Sequence, residues 1–220
     1  MNSITASARQ RYTHLIWDFN GTVLDDVQLG IDCVNPMLAK RGLPTIPDVA
    51  TYRTLFGFPI DDYYRRLGFD FEKEDYDTVL APEWIERYLA GEAACPLNPG
   101  VRETIDAVAR LGIPQIMLSA SRLEQLQGQL AHLGLSHAFV EVLALDNIHA
   151  RSKKHLAVGW KTLHPEARPL FIGDTEHDAA VADAIEADCV LFLGGHQSRD
   201  TLQACGKPLI ERIDEILAYL

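Results

Sequence analysis

His14-Leu15-Ile16-Trp17-Asp18-Phe19-Asn20-Gly21-Thr22 is an apolar run that stops abruptly in polar residues and a glycine. A short apolar run closed by a turn signal reads as a strand buried on both faces, the kind that makes up parallel sheets. Asp18 then stands at the end of that strand. A carboxylate directly after Leu-Ile-Trp is costly to bury alone, so it requires a partner.

Working outward, the same pattern recurs. Pro114 to Leu118 runs into Ser119-Ala120-Ser121, Phe139 to Leu143 is a third candidate, and Pro169 to Ile172 ends at Gly173-Asp174. Cys189 to Leu193 ends at Gly194-Gly195-His196, and Pro208 to Ile210 is a short last strand before a terminal helix. Amphipathic stretches at Val101 to Leu111, Arg122 to Leu133, Lys153 to Leu163 and His177 to Glu186 alternate with these strands. Strand and helix in alternation predict an α/β fold with a doubly wound, Rossmann-like parallel sheet.

One gap breaks the rhythm. The first two strands lie roughly 90 residues apart, far more than a single helical crossover needs. The excess shows helical spacing at Gln28 to Arg41, Val49 to Phe56, Ile60 to Leu67 and Glu83 to Ala90, interrupted by Pro44, Pro47, Pro59, Gly57 and Gly68. This predicts an α-helical cap over residues 26–96, inserted into a core built from 1–25 and 97–220.

The chain has 220 residues and a formal net charge of -11, which disfavours nucleic acid and anionic membranes as partners. It does not disfavour a small anionic substrate, because a metal and local donors reverse the field inside a cleft. Cys33, Cys95, Cys189 and Cys205 form no C-x-x-C pair and read as reduced cysteines. Met1 to Tyr12 reads as a polar lead-in without the apolar run of a signal peptide, and no stretch has the length of a membrane span. The expectation is a soluble, cytoplasmic protein.

Ligands of open parallel sheets bind at the carboxyl ends of the strands. Those ends collect Asp18, Asn20, Ser119, Gly173, Asp174 and the Gly194-Gly195-His196 loop. Asp178 lies one helical turn after Asp174 and points back to the same crevice. Several carboxylates at one edge call for a cation among them, and oxygen-only ligands suit magnesium better than zinc. Asp174-Thr175 could equally be an ordinary helix cap.

Asp18-Phe19-Asn20-Gly21-Thr22, Ser119, Lys153 and Gly173-Asp174-Thr175-Glu176-His177-Asp178 together resemble the four signatures of the haloacid dehalogenase superfamily. The helical insertion falls where the phosphoglycolate phosphatase-like branch carries its cap. The resemblance implies a phosphatase acting on a small phosphorylated metabolite, with Asp18 as nucleophile forming an aspartyl phosphate. It further implies Mg2+ held by Asp18, the backbone carbonyl of Asn20, Asp174 and Asp178. Ser119 and Ala120 after the second strand, and Gly21 and Thr22 after the first, would face the phosphoryl group, with Lys153 neutralising its charge. Lys153 is preferred over the adjacent Lys154 because it follows Ser152 where the helix pattern begins. Arg53, within Arg53-Thr54-Leu55-Phe56-Gly57-Phe58-Pro59, would lean over the nucleophile from the cap, or its aromatic neighbours would merely pack the cap core. Tyr63, Tyr64 and Phe69 fit either role.

The departure is Asn20. Phosphatases of the superfamily usually carry a second aspartate there, which protonates the leaving oxygen and later activates water. An amide does neither, so acid–base help of about 10²–10⁴-fold is missing. A good leaving group such as an acyl phosphate would need no acid; His196 or His177 could replace it; deamidation of Asn20 could create one; or the protein binds phosphorylated ligands with little turnover. A phosphotransferase or mutase of the same fold is a further alternative. The superfamily's dehalogenases also lack this aspartate, but they need no metal, and Asp174 and Asp178 would then be left without a purpose. A carbon–phosphorus cleaving enzyme needs a cap lysine, and neither Lys40 nor Lys73 lies in an obvious site-facing loop.

Overall fold

The computed structural model describes residues 11–146 and 152–220. Most of the expected lead-in, residues 1–10, lies outside the described residues. Six strands, β1 His14–Trp17, β2 Gln115–Arg122, β3 Glu141–Leu145, β4 Pro169–Gly173, β5 Asp188–Phe192 and β6 Leu209–Ile210, form one parallel sheet in the order β3-β2-β1-β4-β5-β6. The direction of winding reverses between β1 and β4, and that switch point opens a crevice beyond the carboxyl ends of both strands. Trp17 is in register with Ile172, and the Asp18 amide donates to the Ile172 carbonyl at 2.9 Å. Asp18 and Asp174 therefore leave neighbouring strands side by side.

The pleat sorts the apolar side chains onto two faces. Leu15, Trp17, Met117, Leu170 and Ile172 meet Val101, Ile105 and Leu126 on one side. Ile16, Ile116, Leu118, Phe171 and Leu191 meet Trp160, Val181 and Leu202 on the other. Those partners belong to helices α5 Val101–Arg110, α6 Leu123–His132, α7 Lys154–Leu163, α8 Glu176–Ala184 and α9 Arg199–Ala204, the first four close to their sequence expectation. The terminal segment Ile213–Ala218 is a 3-10 helix and packs Ile213 and Ile216 against the first face.

Between β1 and β2 the chain builds a third apolar cluster of its own. Helix α1 Val27–Lys40 presents Val27, Ile31, Val34 and Leu38, spaced one face apart, to α2 Val49–Leu55, α3 Ile60–Arg66 and α4 Ala81–Gly91. A single π-helical turn at Tyr76–Leu80 precedes α4 and delivers Tyr76 and Leu80 to the same cluster. Arg41, at the end of α1, grips Glu74 at 2.5 and 2.7 Å and Glu83 at 2.8 Å. The chain leaves the sheet and returns to it along one seam: Leu24 bridges Leu97, the Asp25 amide donates to Pro96 and the Asn98 amide to Val23.

The strands differ most from expectation at β2 and β3. β2 continues past the apolar run through Ser119 to Arg122, because its pairing with β3 shifts register between Leu118 and Arg122 and resumes at Leu145. β3 begins at Glu141 rather than Phe139, whose ring is used in the core instead.

Candidate active site

Asp18 sits at the floor of the crevice with Asp174 and Asp178. One carboxylate oxygen from each falls within 4.8 Å of the others, and all three side chains are buried. Burial pushes the Asp18 carboxyl well above its ordinary range; the Asp178 charge adds to this, Lys153 opposes it and Asp174 adds again. Asp174 is pushed up to about 6, mainly by burial, with His196 opposing and Asp178 adding. Carboxylates crowded until they resist ionising are short of positive charge. The donor set is all oxygen, which fits a hard divalent cation.

Each acid is held from outside. Asp174 accepts the Thr22 hydroxyl at 2.9 Å and the His196 amide at 2.7 Å. Gly21 adopts a φ of 74°, and a Cβ on Gly21 would collide with the Asp174 carboxylate and the His196 ring. A Cβ on Gly195 would strike Asp174 as well, so both glycines are there for close approach. Asp178 closes a capping box with Thr175, its Oδ2 accepting the Thr175 amide at 3.0 Å and hydroxyl at 2.7 Å. The cap residue of α8 is Thr175 rather than Asp174, which leaves Asp174 to the crevice.

Lys153 immediately precedes α7, is 2% exposed, and sends its ammonium to Asp18, to Asp178 at 2.7 Å and to the Leu118 carbonyl at 3.2 Å. Burial works against its charge, but Asp178 and Asp18 raise it above the ordinary lysine value. Asp178, despite burial, is held below its ordinary value by Lys153 and Thr175. Lys154 is exposed, so Lys153 is the lysine that faces the floor.

A second tier surrounds Asn20. Its amide nitrogen donates to Asp26 at 2.8 Å and Tyr88 at 2.7 Å, and its oxygen accepts the Ser121 hydroxyl at 2.9 Å. Asp26 is 2% exposed and also accepts the Gly21 amide at 2.8 Å, the Tyr88 hydroxyl at 2.9 Å and His196 at 3.1 Å. The other ring nitrogen of His196 bonds the Tyr52 hydroxyl at 2.9 Å. Burial disfavours a charged His196, yet Asp26 beside it, then Asp174 and Asp18, push it up to about 9. Burial pushes Asp26 up, but the charge and hydrogen bond of His196, with the bonds from Asn20 and Tyr88, together hold it below its ordinary value. Asp26 and His196 form a buried ion pair 170 residues apart in sequence.

Above the floor, a cavity of about 170 Å3 opens into the helical insertion. Its upper wall is aromatic, with Phe56, Phe58, Tyr63, Tyr64, Trp84 and Tyr88 prominent. Trp84 stacks on Tyr88 at 4.8 Å between centroids, and Phe58 stacks on His177 at 4.6 Å.

Several expected substrate contacts are placed differently. Arg53 does not reach over Asp18; its guanidinium donates to the Gly195 carbonyl at 2.7 Å and the Gly194 carbonyl at 2.5 Å, and it is absent from the cavity wall. Its position on α2 aims it at the loop after β5, whose carbonyls lack sheet partners at that point. Gly21 and Thr22 serve Asp174 and Asp26 rather than lining the cavity. Ser119 is 1% exposed and accepts the Ser121 amide at 3.0 Å, while Ala120, Ser121 and Arg122 form the wall. Accepting that bond leaves the Ser119 hydroxyl hydrogen to donate. His196 lines the cavity, but both ring nitrogens are engaged. Of the undecided aromatics, Tyr63 and Tyr64 reach the wall, whereas Phe69 packs only within the insertion. Asp26, Tyr52, Tyr88 and Ser121 were not anticipated. Asp26 carried the one available signal, an acid eight residues after Asp18 beside an apolar helix face.

The chain belongs to the haloacid dehalogenase-like hydrolases, the family whose pattern matches residues 15–192. It is similar to the phosphoglycolate phosphatase of Rhodobacter capsulatus, 25% identical over 189 residues that cover 83% of this chain and 85% of that protein. The phosphoglycolate phosphatase of Pseudomonas syringae pv. syringae is 23% identical over 205 residues, covering 90% of this chain and 72% of that one. Among solved structures, a haloacid dehalogenase-like family hydrolase from Streptococcus pneumoniae superposes with a TM-score of 0.79 at 17% identity, over 95% of this chain and 98% of that chain.

Proposed function

We propose that this enzyme is a magnesium-dependent phosphatase that hydrolyses a small phosphorylated metabolite through an aspartyl phosphate on Asp18. The observation that carries the reading is the floor itself: a buried Asp18 flanked by Asp174, Asp178 and the Lys153 ammonium. Four buried carboxylates, Asp18, Asp26, Asp174 and Asp178, face two cations, Lys153 and His196. The deficit suits one divalent ion, held by Asp18, Asp174 and Asp178 with the Asn20 carbonyl. Bound there, Mg2+ supplies charge neutralisation for the phosphoryl oxygens.

The chain's own groups do the rest. Lys153 orients the Asp18 carboxylate and neutralises charge shared with the phosphoryl group. The Ser119 hydroxyl is the donor available to a phosphoryl oxygen. An Asp18 oxygen attacks phosphorus, the bond to the leaving oxygen breaks, and water then cleaves the acyl phosphate. Residues 26–96 act as a cap that closes over this step, and 1–25 with 97–220 form the catalytic core. No described helix is long and apolar enough to cross a membrane, in keeping with a cytoplasmic enzyme.

Asn20 supports a second reading. Its amide is fully engaged where an acid would be needed, so a phosphate-ligand binding protein with little turnover remains the competitor. Incubation with phosphomonoesters and Mg2+, followed by acid quench and mass spectrometry, separates the two. Phosphate release with an acid-stable, hydroxylamine-sensitive adduct on the Asp18 peptide is expected. Binding with neither release nor adduct overturns the phosphatase reading.

A further inference from the structure

Two independent features of the cavity constrain what leaves when phosphorus is attacked. The first is its wall. Above Asp18 the insertion offers Phe56, Phe58, Tyr64, Tyr76, Trp84 and Ile85, and contributes no lysine or arginine. The cations on the wall are Lys153, committed to Asp18 and Asp178, Arg122, which is half exposed and paired with Glu124 at 3.0 Å, and His196, locked between Tyr52 and Asp26. A carboxylate-bearing leaving group would be desolvated among these rings with no lysine or arginine from the insertion to meet it, and only Arg122, shared with Glu124, beside them. The buried polar atoms in reach without a partner are the Tyr63 hydroxyl and His177 Nε2, neither of which brings a full positive charge. The volume of about 170 Å3 is close to that of apolar cavities that admit one benzene ring.

The second feature is that, among the described residues, the groups around Asn20 have no proton to spare. At position 20 an amide replaces an acid, Tyr88 donates to Asp26, Ser121 donates to Asn20, and both nitrogens of His196 are bonded. A leaving oxygen beside Asn20 receives no proton from these groups, which favours one that departs as a weak base. Alkoxides do not; phenoxides do.

Resting on the phosphatase reading, we propose that the substrate is an aryl phosphate monoester, its single ring held in the aromatic cavity and its phenoxide leaving without protonation by the protein. Asp18 forms the new oxygen–phosphorus bond, the aryl oxygen–phosphorus bond breaks, and the phenoxide takes its proton from solvent after release.

Binding and turnover test this separately. In magnesium buffer, calorimetry on the wild-type protein compares benzylphosphonate with 3-phosphonopropionate, the non-hydrolysable counterparts of phenyl phosphate and phosphoglycolate. Benzylphosphonate is expected to bind at least tenfold more tightly. The kcat/KM for phenyl phosphate is expected to exceed that for benzyl phosphate, phosphoglycolate and phosphocholine by at least tenfold. Equal or tighter binding of 3-phosphonopropionate overturns the inference, as does a preference for phosphocholine, whose quaternary ammonium the same rings could hold. Hydrolysis of phosphoglycolate would in that case leave the phosphatase reading standing. Tighter benzylphosphonate binding with no ester hydrolysed supports the cavity assignment and sinks the phosphatase reading instead.

Discussion

The floor of the cavity and its roof are built from opposite materials. The floor gathers Asp18, Asp26, Asp174 and Asp178 with Lys153 and His196 at the switch point of a parallel sheet. The roof is a ring of aromatic side chains on a helical insertion with its own apolar cluster. The floor is rigid because every charge is tied to a neighbour from another element. The roof carries no charge to tie. The two meet at a few polar bonds, Tyr52 with His196 and Tyr88 with Asn20 and Asp26.

Removing the proposed nucleophile gives the largest expected effect. Asp18→Asn should lower kcat by about 10⁴-fold or more while leaving benzylphosphonate affinity within a few-fold of wild type, measured by phosphate release and calorimetry. Next comes the buried cation. Lys153→Met leaves Asp18 and Asp178 uncompensated and should destabilise the fold by about 3–5 kcal/mol in urea denaturation. An unchanged midpoint would mean that the floor is not held by this ammonium.

The Asp26–His196 pair gives the floor a pH signature. His196 is raised from 6.5 to about 9 on folding, so its contribution is complete below pH 6.5 and is lost as pH rises through about 9. With chelator present, stability should fall over that window by about 3 kcal/mol, and His196→Gln should flatten the decline. A wild-type profile flat from pH 6.5 to 9 would contradict a charged His196. Magnesium should act in the opposite sense with pH. Asp174, pushed up to about 6, binds a proton in place of a cation at low pH. Saturating Mg2+ should raise Tm by about 5–10 °C at pH 8 and by little at pH 5.

The smallest effect sharpens the role of Asn20. Its amide touches Asp26 at 2.8 Å, so Asn20→Asp alone sets two carboxylates against each other and should bring no gain on alkyl phosphates. Asn20→Asp combined with Asp26→Asn moves the charge without doubling it. The pair should raise kcat/KM on benzyl phosphate about tenfold over the single variant. A gain from the single change would show that Asp26 does not oppose a carboxylate at position 20.

The two regions also differ in how far they could be read in advance. Asp18, Asp174 and Asp178 were legible because a buried parallel strand ending in an acid breaks a local pattern, and Lys153 because it opens a helix. Asp26 was not legible as a site residue. It looks like the polar start of a helix, and His196, Tyr88 and Asn20 come to it from three separate elements. Arg53 misled for a related reason: a cation beside aromatics suggests a substrate contact, but direction along α2 decides what it meets. The apolar spacing of α1 to α4 showed that the insertion is helical, yet which aromatic faces the void and which packs inside depends on how the helices cross.

The stretch from Tyr52 to Phe58 belongs to the insertion by sequence but is bolted to the sheet. Arg53 holds the Gly194 and Gly195 carbonyls, the Ser198 amide holds the Arg53 carbonyl, Tyr52 holds His196, and the Phe58 amide reaches Glu176. Admitting a substrate by swinging the whole insertion would break all of these at once. Any motion that spares these bonds keeps Tyr52 to Phe58 fixed as a door frame, and α4 is itself latched through Tyr88 to Asn20 and Asp26.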